Sequence, residues 1–385
     1  MKPLLFIGCF CLFYFSQAQP TAKKKGYVIY SLGVDTTFIG YYQLEQNNFE
    51  FKIMNRPGGL SVTIMKGSLY PNGELKEASG YSYKPSLNGQ DKRLTEYQLY
   101  TSSDSTFAKQ IRDGKETFVK YKGRAMVMNA LGSPFLFLLP VLKNYAPSKV
   151  NETVESHHFV MGQDRKFTIK KIAPDMLEAG SNIMGYFKIY LDENGNVKSI
   201  DGIGSSWNVK GSVYDNLDLD AYIQRFTMKE EVSPLKSLTK RDSVLSSMDG
   251  VDLRLDYSRP SMRGRVIFGE VVPWNRVWRT GANEPTRLTI NKPIYFNGKE
   301  LPAGQYSVFT LPAKEGWTLI INKQTNIWGT DHDAAYDLMR IPMQTSMLEQ
   351  PLELMTIELN QKGEEGILAV SWERTKAYVP FKFKK

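Results

Sequence analysis

Cysteine is nearly missing from this sequence, and its position decides what is excluded. Cys9 and Cys11, the two cysteines of the 385-residue chain, both fall in an apolar N-terminal segment, MKPLLFIGCFCLFYFSQAQP. That segment carries one early positive charge (Lys2), an apolar run and a small-residue site at Ser16-Gln17-Ala18. It reads as a secretory signal peptide over residues 1–18, too short for a bilayer span. It predicts an exported protein, periplasmic or extracellular. The mature chain would then hold no cysteine, which excludes disulfides, thiolate nucleophiles and cysteine–metal sites. Histidine is almost as scarce: only His157, His158 and His332 are present. Neighbouring His157 and His158 on a strand face opposite sides. Asp331-His332-Asp333 reads as turn or cap chemistry, so neither a metal nor another cofactor is expected. There is no G-x-S-x-G elbow for a serine nucleophile and no glycine-rich phosphate loop. No later run approaches about eighteen apolar residues, so no transmembrane segment is expected, though peripheral membrane contact stays compatible. The formal net charge is +9, yet the basic residues are spread along the chain. Without a basic stripe interleaved with aromatics, nucleic acid is not an expected partner.

What the chain has in quantity is aromatic and alternating sequence. Aromatic residues make up 12% of it, in short runs such as GYVIYSL, TFIGYYQLE, NFEFKIM and TEYQLYTS separated by turn dipeptides. This pattern predicts a mostly β protein of two domains. Residues 25–226 read as an antiparallel meander, either a barrel or a curved sheet. It is interrupted by AMVMNALGSPFLFLLPVL (125–142), whose Gly132-Ser133-Pro134 breaks it into short helical turns. That segment is expected to plug the concave face, as ordinary core or as the lining of a cavity for a lipid-like ligand. The strand–plug–strand order and the string YLDENGNVKSIDG make this half loosely similar to periplasmic β-meander domains related to lipoprotein carriers, a resemblance that brings no site residues. Residues 227–250 read as a partly helical linker ended by Asp249-Gly250. Residues 251–385, with Asn297-Gly298 as a type I′ hairpin signal and some eight or nine short strands, read as a β-sandwich.

The most informative stretch lies at the start of that second domain. Between 254 and 290 there are seven arginines (254, 259, 263, 265, 276, 279 and 287) and no lysine. Arginine is preferred over lysine where a planar fork meets a carboxylate, a phosphate, a carbonyl or an aromatic face. The strings Tyr257-Ser258-Arg259-Pro260, Arg263-Gly264-Arg265, Val277-Trp278-Arg279-Thr280-Gly281-Ala282-Asn283-Glu284 and Leu301-Pro302-Ala303-Gly304 resemble the family of unknown function known as DUF2911. That resemblance implies an exported β-rich module of Bacteroidetes type and no assigned catalysis. Arg259, Arg263, Arg265, Trp278, Arg279, Asn283 and Glu284 are therefore the candidate ligand-binding residues. Three readings stay open. The arginines are structural latches, with Arg279 or Arg259 paired to Glu284 or Glu270. Or they line a pocket for a glycan, an envelope component or a small anionic ligand, with indole for stacking. Or the cluster is a hydrolytic active site in which Glu284 or Glu270 moves a proton. A binding module is the expectation; a hydrolase or a structural envelope protein is the alternative, and no catalytic residue is assigned.

Overall fold

The computed structural model of the protein describes residues 24–71, 74–123, 149–160, 163–181, 185–205, 207–232 and 239–384. Residues 1–18, expected to be a signal peptide, and the stretch 125–142, expected to plug the first sheet, lie outside these residues. The described chain is mostly strand, arranged as two large antiparallel sheets, neither closed into a barrel.

The first sheet has fourteen strands in the order β8-β7-β6-β5-β4-β3-β2-β1-β14-β13-β12-β11-β10-β9. It opens with β1 (Lys24–Leu32), β2 (Asp35–Glu45), β3 (Asn48–Asn55) and β4 (Ser61–Leu69), and runs out to β8 (Lys115–Lys122). It resumes at the other edge with β9 (Thr153–Val160) and returns to β14 (Lys210–Tyr214), which pairs with β1 from Tyr27↔Tyr214 to Ser31↔Lys210. The meander expected over 25–226 is thus an open, centre-out sheet. The period-two alternation does its sorting on β1. Val28, Tyr30 and Leu32 enter the main core with Phe51, Phe187 and Ile189, while Tyr27 and Ile29 face the other side.

That other side is covered by one helix, α1 (Leu219–Val232). Asp218 caps it by accepting from the Ala221 N–H at 2.9 Å. Leu219, Ile223 and Phe226, spaced four and three apart, pack on Ile39, Met54 and Val62. Arg56, in the turn between β3 and β4, is 2% exposed and locks the helix down. Its Nε and one Nη each donate to Glu230 at 3.1 Å, the other Nη donates to the Thr36 carbonyl at 2.8 Å, and the guanidinium lies 4.2 Å from the Phe226 ring centre.

The second sheet follows the order β15-β16-β17-β20-β21-β22-β23-β18-β19. It begins earlier than the sequence suggests. Thr239–Met248, expected within a helical linker, is a strand, β15, paired along its length with β16 (Val251–Pro260). The deciding residues are Asp249 and Gly250, read as a helix stop. Their φ values of 47° and 74° make them the two central residues of a hairpin turn. Once that turn forms, Asp242, Val244, Ser246 and Met248 share the inner side by alternation, and the helix loses to the ladder. β17 (Thr286–Ile290), β20 (Gly304–Ala313) and β21 (Gly316–Asn322) continue the sheet, and β18 (Ile294–Phe296) and β19 (Lys299–Leu301) end it beside β23 (Glu365–Lys382).

The long strand β22 (Asp337–Lys362) gives the domain its depth. Residues 337–343 pair with β21 and residues 344–362 pair with β23, with register breaks between Met347 and Leu352 and again before Thr356. The bend at those breaks folds the sheet into two layers over one core. Leu255, Leu288 and Ile321 come from one layer and Ile357, Val370 and Phe381 from the other. The Tyr257 hydroxyl ties the layers by accepting from the Ile357 N–H at 3.1 Å. This is the sandwich the strand pattern predicts. Before β22 the chain makes one 3₁₀ turn, Ala334–Tyr336, capped by Asp333, which accepts from the Ala335 N–H at 2.9 Å.

Candidate functional site

Between β16 and β17 the arginine-rich stretch has no long strand. Residues 261–285 cross from β16 to β17 as a series of turns, and several backbone positions there are left-handed: Arg263 (φ 51°), Asn275 (60°), Thr280 (51°) and Asn283 (62°). Asparagine tolerates that region; a β-branched threonine does so only when its surroundings over-determine it. Thr280 is completely buried. Its hydroxyl donates to Thr310 Oγ1 at 3.1 Å, and its carbonyl accepts from Thr286 Oγ1 at 2.6 Å. Trp278, two residues earlier, exchanges backbone bonds with Thr310 at 2.7 and 2.8 Å and donates its indole N–H to the Gly281 carbonyl. Its ring stacks on Trp372 at 5.9 Å and meets Trp317 edge-on at 6.2 Å. An indole anchored in this cluster and a locked Thr280 fix the residue between them, Arg279.

The arginines then divide by task. Arg259 is a latch: it donates to the Met355 carbonyl (2.9 Å), Thr356 Oγ1 (2.8 Å) and Asp242 (3.0 Å). Arg265 donates to the Ser261 and Met262 carbonyls at 2.6 and 2.9 Å. Arg263 joins the domains. Its guanidinium pairs with Asp35 on β2, and its carbonyl accepts from the Val34 N–H at 3.3 Å. The fit there is close, because a Cβ at Gly33 (φ 60°) would lie 2.1 Å from that carbonyl oxygen. Glu284 sits between Arg241 (3.4 Å) and Arg287 (3.5 Å), not against Arg279 or Arg259 as the latch reading supposed. The Arg279 side chain makes no ion pair and no hydrogen bond among the described residues, and its Nε is buried without a partner, while its backbone carbonyl accepts from the Thr286 N–H at 3.2 Å. Burial alone pushes it down from the usual 12.5 to about 10.

Arg279 lies on the wall of a cleft of about 480 Å³ between the two domains. The first domain contributes Leu32, Ser205, Trp207 and Asn208. The second contributes Arg265, Arg276, Trp278, Asn283 and His332 beside Arg279. No aspartate or glutamate is among the described lining residues. The junction is knitted by hydrophobic contact as well, since Trp328 of the second domain packs against the first domain's core. The loop after Trp328 shapes the wall. Gly329 donates its N–H to the Asn283 carbonyl at 3.2 Å, and a Cβ there would lie 2.2 Å from both that oxygen and Arg279 Cδ. At the loop's end His332 turns Nε2 to Asp337 Oδ1 at 2.8 Å and packs edge-on against Phe309. Asp337 is held by Asn322 Nδ2 (2.8 Å) and Arg340 (2.7 Å). Its burial would raise its pKa, but these partners and His332 together carry it below the usual carboxylate value.

Residues 239–381 match the family described as protein of unknown function (DUF2911). The matched region starts on β15, one strand before the domain start read from the sequence. No curated protein matches the chain. Solved structures similar to it include the following two. One is a DUF1089 family protein from Pseudomonas aeruginosa, 11% identical over 42% of this chain and 88% of that one, with a TM-score of 0.31. The other is a β-barrel-like protein of domain of unknown function DUF1849 from Brucella abortus, 10% identical over 49% of this chain and 94% of that one, with a TM-score of 0.28.

Of the seven candidate residues, Arg265, Trp278, Arg279 and Asn283 line the cleft, while Arg259, Arg263 and Glu284 do not. Those three are taken up by contacts within the second domain or across the domain junction. The sequence reading missed Trp207, Asn208 and the role of His332. Trp207 and Asn208 lie some fifty residues before the motif, in a turn built on Ser205, whose hydroxyl donates to the Gly202 carbonyl at 2.6 Å. Only the docking of the two domains brings that turn to the arginine-rich motif: Gly204 faces Pro273, whose Cγ would lie 3.3 Å from a Cβ there.

Proposed function

We propose that this protein is an exported binding module that holds a small anionic ligand, such as an acidic glycan or another acidic envelope component, in the cleft between its domains. The observation that carries this is Arg279, a half-buried guanidinium whose Nε is buried and which has no counter-ion among the described residues, on a wall whose described residues include two further arginines and no carboxylate. A buried unpaired charge is costly and is retained where a partner arrives from outside. An incoming anion restores the missing charge-assisted hydrogen bonds. Trp207 and Trp278 add flat apolar surface, and about 480 Å³ suits a ligand of one or two rings. Binding is favoured over hydrolysis because the cleft's serine is committed. Ser205 Oγ donates to Gly202 and accepts from the Trp207 and Asn208 N–H groups at 3.2 and 3.3 Å, which makes it a turn former. The test is thermal unfolding of the full mature chain with sulfate, phosphate and small carboxylates. Saturable stabilisation is expected in the parent and not in Arg279→Ala. Absence of any anion effect on the parent overturns the reading.

A further inference from the structure

The arginines select charge, but charge alone does not use everything on the wall. The three guanidinium groups that line the cleft, those of Arg265, Arg276 and Arg279, only donate. His332 differs, and Asp337 determines how. A carboxylate accepts, so the hydrogen bond at 2.8 Å requires the proton on Nε2. In the neutral ring this leaves the Nδ1 lone pair as the acceptor of a side chain that lines the cleft, while the Asp337 that holds Nε2 is not among the lining residues. Asp337 is itself fixed by Asn322 and Arg340, and the ring is packed on Phe309, so the acceptor's direction is set by the fold. His332 and Arg279 belong to one wall, because the loop that ends at His332 presses Gly329 against the Arg279 side chain.

We infer that the ligand is an acidic sugar, whose carboxylate meets Arg279 and whose ring hydroxyl donates to His332 Nδ1. This rests on the anionic-cleft reading above and sharpens it. A simple inorganic anion satisfies the arginine and leaves the imidazole acceptor empty. A neutral sugar does the reverse and leaves the guanidinium unpaired. A uronic acid satisfies both on one pyranose ring, and its C–H face has Trp207 and Trp278 within the same cleft to lie against. His332 is then a specificity-determining residue for hydroxyl-bearing anions.

The experiment is calorimetric titration of the full mature chain with three ring compounds: glucuronate, cyclohexanecarboxylate (charge without hydroxyls) and glucose (hydroxyls without charge). Glucuronate is expected to bind at least about fivefold more tightly than cyclohexanecarboxylate, the effect of one neutral hydrogen bond, and glucose not to bind measurably. In His332→Leu, glucuronate affinity is expected to fall to that of cyclohexanecarboxylate while the latter is unchanged. Equal binding of the two acids by the parent overturns the assignment, and this arm does not depend on any variant folding. Equal weakening of both acids in His332→Leu overturns it as well. If neither acid binds, the anionic cleft itself fails, an outcome distinct from loss of the hydroxyl preference alone.

Discussion

Replacing Arg279 with methionine is expected to stabilise the protein, which separates a ligand site from a latch in a single measurement. A guanidinium held at about 10 instead of 12.5 has its charged form disfavoured by about 3 kcal/mol in the folded state. Water reaches part of this half-buried side chain, and screening reduces the cost to about 1–2 kcal/mol. Methionine keeps the length of the stem and its contact with Gly329 while removing the charge. The sign with pH follows from the direction of the shift. A base whose folded pKa lies below its unfolded value destabilises the fold fully at any pH under the folded value. That penalty fades as pH rises from about 10 through the unfolded value. The gain in Arg279→Met is therefore expected to be constant between pH 6 and 9 and to shrink only above about pH 10. Five of the six tryptophans lie in the second domain, so denaturant unfolding followed by indole fluorescence reports on it. If Arg279→Met lowers stability by more than about 1 kcal/mol at pH 7, Arg279 is a structural latch and the argument for a cleft awaiting an anion fails.

Two further outcomes test the frame around the cleft. Arg56→Ala removes the hydrogen bonds of Arg56 to Glu230 and Thr36 and its packing on Phe226, and is expected to cost about 1–3 kcal/mol, read as a lower melting temperature with α1 signal lost first by circular dichroism. A loss below about 1 kcal/mol would show that α1 is held by its apolar face alone. At Thr280, both glycine and alanine remove the hydroxyl bond to Thr310, but only glycine suits φ 51°. Thr280→Gly is expected to remain about 1 kcal/mol more stable than Thr280→Ala in equilibrium unfolding, and the reverse order would remove the case for a strained turn beneath Arg279.

How much of this was legible in the sequence depended on how local the cause was. The strands with clean alternation, the Asn297-Gly298 hairpin and the capping role of Asp333 each follow from neighbouring residues, and the fold places them accordingly. Asp249-Gly250 was equally local but ambiguous. The same dipeptide ends a helix or makes a hairpin, and only the ladder partner across the turn, β16, decides between them. β22 was hidden for another reason. Its middle, around Gln350-Pro351, lies in a register break where alternation fails, so one bent strand reads as an interruption.

The arginine cluster shows where local reasoning stops. Residue type argued that each guanidinium meets something planar or charged, and that held for Arg259, Arg263 and Arg265. The partners it suggested, Glu270 and Glu284, were the ones near in sequence. The actual partners, Asp35, Asp242 and the Met355 carbonyl, come from the neighbouring domain, the facing strand and the bend of β22. An arginine paired across such distances fixes the fold, and its loss is a stability effect. Arg279 differs because the same packing that satisfies its neighbours brings its side chain no acceptor among the described residues. With Trp278 committed to the tryptophan cluster and Gly329 closing over the stem, the guanidinium is open to completion from the cleft. Discrimination between ligands then passes to the next group on that wall, His332, whose tautomer is set by Asp337 and whose nearest sequence neighbours give no hint of it.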